Sequence, residues 1–245
     1  MDKVAVISDI HGNMPALEVV LDDIRARGIE QIICLGDLAG KGPHSIEAVD
    51  AIRTCCDQVV LGNWDALLAE TVPHPLLVWW HEQLGAECRA YLGSLPFCYD
   101  MQMSGHQLRF FHASQQSVYY RVFPNHEEAV LAAMFTNSEA TGYDHPEPDV
   151  VLYGDIHSAC LLPVGRFNKL INVGSVGNPL DQTLATYVVL TGKVGTSQRA
   201  NLDVEFVRLP YDVEKTIRQA EALGMPATAA LAKELRTGVY RGAES

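Results

Sequence analysis

The chain has 245 residues, of which 48% are hydrophobic and 20% charged, a globular balance long enough to bury a sizeable core. Eighteen basic residues against 30 acidic ones leave a formal charge of -12, which disfavours a nuclease, because duplex binding rests on surplus Lys and Arg. No apolar run approaches the roughly 18 residues of a bilayer span, and Met1-Asp2-Lys3-Val4 carries no basic segment ahead of a hydrophobic one, so neither a membrane segment nor a secretory signal is expected. Six cysteines without CxxC spacing, two of them adjacent (Cys55 and Cys56), read as small buried hydrophobes in a reducing cytoplasm.

In chain order, residues 3–8 form a β-branched-rich run expected for a strand covered on both faces. Residues 13–27 carry Leu17, Val20, Leu21 and Ile24 at helical spacing, with Asn13 as cap and Pro15 in the first turn. A strand at 31–35, a helix opening at Ser45 with Ile46, Val49 and Ile52 inside, and a strand at 58–61 complete a βαβαβ order that argues for a largely parallel sheet. Residues 66–95 read as helical with breaks at Pro73 and Pro75, and 97–111 as two strands joined at Ser104-Gly105. A helix is expected at 125–135 and a polar loop at 136–148; strands follow at 150–153, 170–173, 185–190 and 204–209, then closing helices at 213–223 and 226–235. Without repeats or linkers, residues 1–245 are read as one domain with two sheets' worth of strands.

Five apolar runs each deliver Asp, His or Asn at their carboxyl ends. These are Asp9-Ile10-His11, Gly36-Asp37, Gly62-Asn63-Trp64-Asp65, His112, and Gly154-Asp155-Ile156-His157. In open α/β sheets that edge binds ligands. Carboxylates and imidazoles converging there need a compensating cation. A mixed oxygen and nitrogen set suits Mn²⁺, Fe²⁺, Zn²⁺ or Ni²⁺, and seven candidates exceed the needs of one ion. Two neighbouring ions are a standard arrangement for displacement at phosphorus.

The string Asp9-Ile10-His11-Gly12-Asn13, Gly36-Asp37, Gly62-Asn63-x-Asp65, His112, Gly154-x-x-His157, followed by residues 172–179 (NVGSVGNP), resembles the calcineurin-like metallophosphoesterase superfamily, in its small bacterial and archaeal phosphodiesterase branch. The resemblance implies an α/β fold, a four-layer α/β/β/α sandwich of two mixed sheets flanked by helices. It implies a first metal on Asp9, His11, Asp37 and His157, and a second on Asp37, Asn63, His112 and the residue at 155. Asp37 would bridge the two ions, and a hydroxide shared between them would attack phosphorus.

Two positions depart from the family pattern. The usual GHxH block has Asp155 in place of its first His, and this extra negative charge favours Mn²⁺ or Fe²⁺ over Zn²⁺ or Ni²⁺ if Asp155 ligates; the competing reading is a weak or empty second position. Trp64 replaces a His that relatives use to protonate the leaving group. Indole cannot do so, which favours leaving groups that depart as stable anions, and its flat face offers a surface for a nucleobase. Asp65 either retains an orienting role or caps the following helix. Ser114 either reaches a phosphate oxygen or serves a turn, and Trp79, Trp80 and His81 are core or cleft wall. Arg109, Arg121 and Lys169 are the cations nearest in sequence to the strand-end loops. The expected function is metal-dependent hydrolysis of a small phosphodiester or phosphoanhydride, nucleotide-like in type, with Asn63, Trp64 and Ser114 toward substrate. A metal-binding regulatory protein and a serine/threonine-type protein phosphatase are the alternatives, and the oligomeric state, homo-oligomer included, stays open.

Overall fold

Successive side chains of a strand point to opposite faces, so a strand with every residue apolar must be covered twice. Val4, Ala5, Val6 and Ile7 are all fully buried, and the computed structural model supplies both covers. It describes residues 1–71 and 73–242; position 72, inside the stretch expected to be helical, and 243–245, at the end of the expected domain, lie outside the described residues.

One five-stranded sheet runs β10 (Asp203–Leu209), β9 (Ala185–Gly192), β1 (Asp2–Ile7), β2 (Gln31–Cys34), β3 (Gln58–Val59). Its β1, β2 and β3 are parallel, as the βαβαβ reading requires, whereas β9 and β10 pair antiparallel. The other runs β4 (Cys98–Met103), β5 (His106–Phe111), β6 (Val150–Tyr153), β8 (Asn168–Asn172), β7 (Cys160–Val164). Val4, Val6 and Ile33 face Leu108, Phe110, Leu152 and Ile171 between the sheets. Ala5, Ile7 and Cys34 turn the other way, onto Leu17, Val20, Ile24, Ile52 and Ile217 of the helices. Those helices are α1 (Met14–Ala26), α2 (Ser45–Cys55), α3 (Asn63–Ala69), α4 (Val78–Gly93), α6 (Val213–Ala222) and α7 (Thr228–Thr237). A thinner layer with α5 (Glu128–Ala133) covers the far face of the second sheet through Val122, Met134 and Phe135. The expected four-layer α/β/β/α sandwich is the observed one.

Several local expectations shift. Strand β7 was not anticipated, because Pro163 interrupts its apolar run; a proline is tolerated there because β7 is an edge strand. The helix expected at 125–135 contracts to α5, whose Ncap residue Glu127 makes no side-chain capping bond. Ile46 is 38% exposed, and Ala48 takes its place beside Val49 and Ile52 on the buried face of α2. The 66–95 stretch resolves into α3, which starts earlier at Asn63, and α4, broken internally at Gly85 (φ 65°). Among the described residues, no helix is long and apolar enough to cross a membrane.

Phe110 lies between the two sheets with no exposure, whereas Phe167 is 74% exposed. Phe110→Ala should lower unfolding free energy by about 3–5 kcal/mol in urea titration. Phe167→Ala should change it by no more than about 0.5 kcal/mol. Similar losses for both would contradict the core described.

Candidate metal centre

The site is built by loops that leave the carboxyl ends of β1, β2, β5 and β6 and the start of α3. Their backbones are strained in a consistent way. Asp9, His11, Asp37, Lys41, Asp155 and His157 all have left-handed φ, between 49° and 63°, a conformation that costs a non-glycine residue on the order of 1–3 kcal/mol. Hydrogen bonds between loops hold it. The amides of Asp9, His11 and Gly12 donate to the carbonyls of Gly36 (3.0 Å), Asp37 (2.9 Å) and Leu38 (3.0 Å). Asp65 completes the lacing: its buried carboxylate accepts from the amides of Asp37 (2.7 Å), Leu38 (2.9 Å) and Gly62 (3.1 Å). Of the two readings for Asp65, the helix-capping one is thus present, and it extends to the Asp37 loop.

The segment 172–179 supports the opposite side. Ser175 Oγ donates to the Asp9 carbonyl (2.8 Å), and the amides of Val176 and Gly177 donate to the carbonyls of Ser8 and Asp9 (both 2.9 Å). Gly154 packs so closely that a side chain there would strike the Ser8 hydroxyl and the Asp9 carboxylate.

This frame fixes the imidazoles. His11 Nδ1 faces the carbonyl of Ala39 (3.4 Å), His112 Nδ1 that of Leu35 (2.7 Å) and His157 Nδ1 that of Asn178 (2.5 Å). A carbonyl only accepts, so each Nδ1 carries hydrogen, and it is the Nε2 of each ring that points inward and offers its lone pair when the ring is neutral. The lone pairs converge. His11 Nε2 and His157 Nε2 stand 3.3 Å apart, and His157 Nε2 lies 3.2 Å from Asp9 Oδ1. His112 Nε2 is 3.0 Å from Asn63 Oδ1 and 3.5 Å from Asp37 Oδ1, while Asp37 Oδ2 is 3.5 Å from His11 Nε2. Asp9 Oδ1 is buried without a hydrogen-bond donor. Acceptors facing acceptors, with an orphaned carboxylate oxygen among them, are what a cation-binding cradle requires. Among the described residues, two groups have ligand atoms close enough to share an ion: Asp9, His11 and His157, and Asp9, Asp37 and His112.

The electrostatics carry the same signature. Burial pushes Asp37 up to about 8. For His112, burial acts downward but the carboxylates of Asp37, Asp9 and Asp155 overcome it and lift the imidazole to about 9. Burial also acts on Asp9, upward, yet His157, His112 and His11 hold it below the usual carboxylate range. Burial, then Lys41 and His157, drive His11 well below the ordinary histidine value.

Asp155 lies 3.9 Å from His112 Nε2 but belongs to neither cluster; Arg121 grips its two oxygens at 2.9 and 3.0 Å. The charge count that favoured Mn²⁺ or Fe²⁺ omitted this guanidinium, which offsets Asp155. Ser114 is fully buried, and its hydroxyl donates to the Ser117 carbonyl and accepts from the amides of Gln116 and Ser117, so it shapes a turn. Trp64 donates its amide to Asp37 Oδ1 (2.8 Å) and sets its ring edgewise to His11 and Trp80. Trp80 anchors to the Gly42 carbonyl (2.9 Å), and His81 is buried. Arg109 is fully buried and paired with Asp100.

Sequence reasoning missed Lys41. Its Nζ lies 3.3 Å from both His157 Nε2 and Asn178 Oδ1 and 5.7 Å from the Trp64 ring centroid. The available signal was its place in Gly40-Lys41-Gly42, immediately after the Asp37 block. Beside the cluster opens a cavity of about 530 Å³ with Trp64, Trp80, Leu67 and Tyr240 as apolar wall and Lys41, Arg121 and Arg241 as cations, the last paired with Glu234.

Comparison with known proteins agrees with this geometry. The model of the calcineurin-like phosphoesterase superfamily domain matches residues 2–194. An uncharacterized protein of Methanocaldococcus jannaschii is 31% identical over 229 residues, covering 86% of this chain and 89% of that one. A metallophosphoesterase from Sphaerobacter thermophilus is similar in structure (27% identity, TM-score 0.73, 97% of this chain and 100% of that one). A hypothetical protein from Pyrococcus horikoshii shares the fold (21% identity, TM-score 0.75, 98% and 100% coverage).

A His112 raised to about 9 holds a proton at neutral pH in the ion-free protein, and a cation entering the cluster must expel it. Asp37, raised to about 8, holds a second such proton. Mn²⁺ affinity measured by calorimetry should therefore climb from about pH 6 to about pH 9, with about two protons released near pH 7. Those protons are read from the dependence of the heat on the buffer's ionisation enthalpy. An affinity flat across this range would show that neither His112 nor Asp37 takes part.

Proposed function

The chain belongs to the calcineurin-like phosphoesterase superfamily, and from that premise we propose that it hydrolyses a phosphodiester or phosphoanhydride by in-line attack of a hydroxide at a dinuclear metal centre. The observation that carries this reading is the buried Asp9 Oδ1, without a donor and faced by the Nε2 atoms of His11 and His157; Lys41 and Trp64, which touch those imidazoles, also line a cavity sized for a small molecule. Asp9, His11 and His157 would hold one ion, and Asp9, Asp37 and His112 with Asn63 the other, with the two oxygens of Asp37 reaching toward both. When bound, such ions neutralise phosphate oxygens and bring the pKa of water from about 15.7 toward 7. The donor set of carboxylate, amide oxygen and imidazole suits Mn²⁺ or Fe²⁺, with Zn²⁺ and Ni²⁺ as competitors.

The residues of the chain set the rest of the chemistry. Backbone carbonyls hold the three imidazoles with hydrogen on Nδ1, so each ring meets an ion through Nε2, His112 after giving up its second proton. Asp65 keeps Asp37 in its strained conformation through two loop amides. Trp64 supplies no proton where a leaving group would need one, and a general acid contributes typically about 10²–10⁴-fold. Substrates whose leaving group departs as a stable anion are therefore preferred, a phosphoanhydride or an aryl ester over an alkyl ester. The ring of Trp64 walls the cavity, where a nucleobase can stack. Six free cysteines fit a reducing compartment, which we take to be the cytoplasm.

Chelator-stripped protein should release no nitrophenolate from bis-p-nitrophenyl phosphate until Mn²⁺ is added, and Asp9→Asn should abolish release. Tight Mn²⁺ binding with no release would instead make the chain a metal-binding regulator.

A nucleoside polyphosphate should turn over at least about 10²-fold faster than a dialkyl phosphate, the scale of the missing proton donor. Comparable rates, measured by phosphorus NMR, would require an acid elsewhere in the site.

A further inference from the structure

Asp155 is the one acidic or histidine member of the expected ligand set that both clusters omit. Its Oδ2 accepts from Arg121 Nε at 2.9 Å and its Oδ1 from Arg121 Nη2 at 3.0 Å. A two-pronged pair of this kind fixes the plane of the guanidinium as well as neutralising charge. The partners are unequally placed: the Asp155 side chain is 4% exposed and the Arg121 side chain 47%, on the wall of the cavity. The backbone beneath is anchored. Val122, next in sequence, is 1% exposed, and its carbonyl accepts from the Tyr153 hydroxyl at 3.1 Å. The Ser114 turn fixes the start of the same loop. Asp155 occupies two of the five guanidinium N–H groups, and three remain for a ligand.

We infer that Asp155 is a positioning residue and not a metal ligand, and that Arg121, aimed by it, binds phosphate oxygens of the substrate beside the metal centre. The identity of the ligand as a phosphate rests on the hydrolase reading; the role of Asp155 does not. The arrangement adds a fixed cation to the cavity wall in a chain of net charge -12, where a polyanion is otherwise repelled. Lys41 lines the same cavity, as does Arg241, whose charge Glu234 offsets, so the entering phosphate meets Arg121 as a planar fork and Lys41 as a point charge.

The test uses Mn²⁺-loaded full-length protein with inorganic phosphate as the probe, binding read by calorimetry and metal content by atomic spectroscopy after dialysis. Arg121→Gln and Asp155→Asn should each weaken phosphate binding about tenfold, the scale of a charge-assisted contact. The double variant should bind no more weakly than Arg121→Gln alone, because Asp155 acts through Arg121. All three should hold as many Mn²⁺ ions as the wild type. An Asp155→Asn protein with fewer ions would make Asp155 a ligand, and an Arg121→Gln protein binding phosphate normally would reduce the pair to a structural one. Should Asp155→Asn fail to fold, Arg121→Gln, at a half-exposed position, decides alone. Wild-type protein that takes up Mn²⁺ and phosphate yet hydrolyses nothing would sink the hydrolase reading while this comparison still gives its answer.

Discussion

Asp9 and Asp37 are carboxylates with essentially no solvent access, set among three equally buried imidazoles. Desolvated ionisable groups at this density are unfavourable unless each lone pair finds a partner. Protein donors satisfy the outer lone pairs: Ser8 and the Asp155 amide on Asp9 Oδ2, and the Trp64 amide on Asp37 Oδ1. The inner ones are left facing each other. Every other feature of the site follows from keeping that mismatch in place: left-handed backbones, loops laced to loops, and glycines where a Cβ would collide.

The scaffold tolerates this because the strain sits on rigid supports. The strands that deliver the ligands are buried on both faces, so their ends cannot relax into solvent. The chain also uses residue types suited to the task. Three of the six left-handed site residues are aspartates, which enter that region more readily than most side chains. Stability given up at the loops is offset by two apolar interfaces, one between the sheets and one under the helices.

The fold and the clustering of these Asp and His side chains were legible because both leave a linear trace. Parallel strands buried on two sides write continuous β-branched runs, and their carboxyl ends mark one edge in advance. Edge strand β7 left no such trace, since Pro163 disguises it. The pairing of Asp155 with Arg121 was also hidden. These residues are 34 positions apart, on loops from different strands, and no local pattern says which of Arg109, Arg121 and Lys169 reaches the centre. The buried Arg109 went to Asp100 for the same reason: long side chains find partners through the tertiary fold. Asp65 illustrates the intermediate case, where helix-start chemistry was readable and its grip on the neighbouring loop was not.

Asn178 joins His157 to the far end of the chain: its carbonyl orients the imidazole, while its amide nitrogen donates to Glu234 Oε2 at 3.3 Å. Glu234 in turn is clasped by Arg241, and from the preceding helix Thr216 donates to Asn13 at 2.8 Å. The match to the superfamily model stops at residue 194, so these contacts come from residues past the matched segment. The C-terminal helices thus serve as a brace, and because Pro226, Glu234 and Tyr240 also line the cavity, substitutions in this tail would retune its mouth while the strand ends stayed as they are.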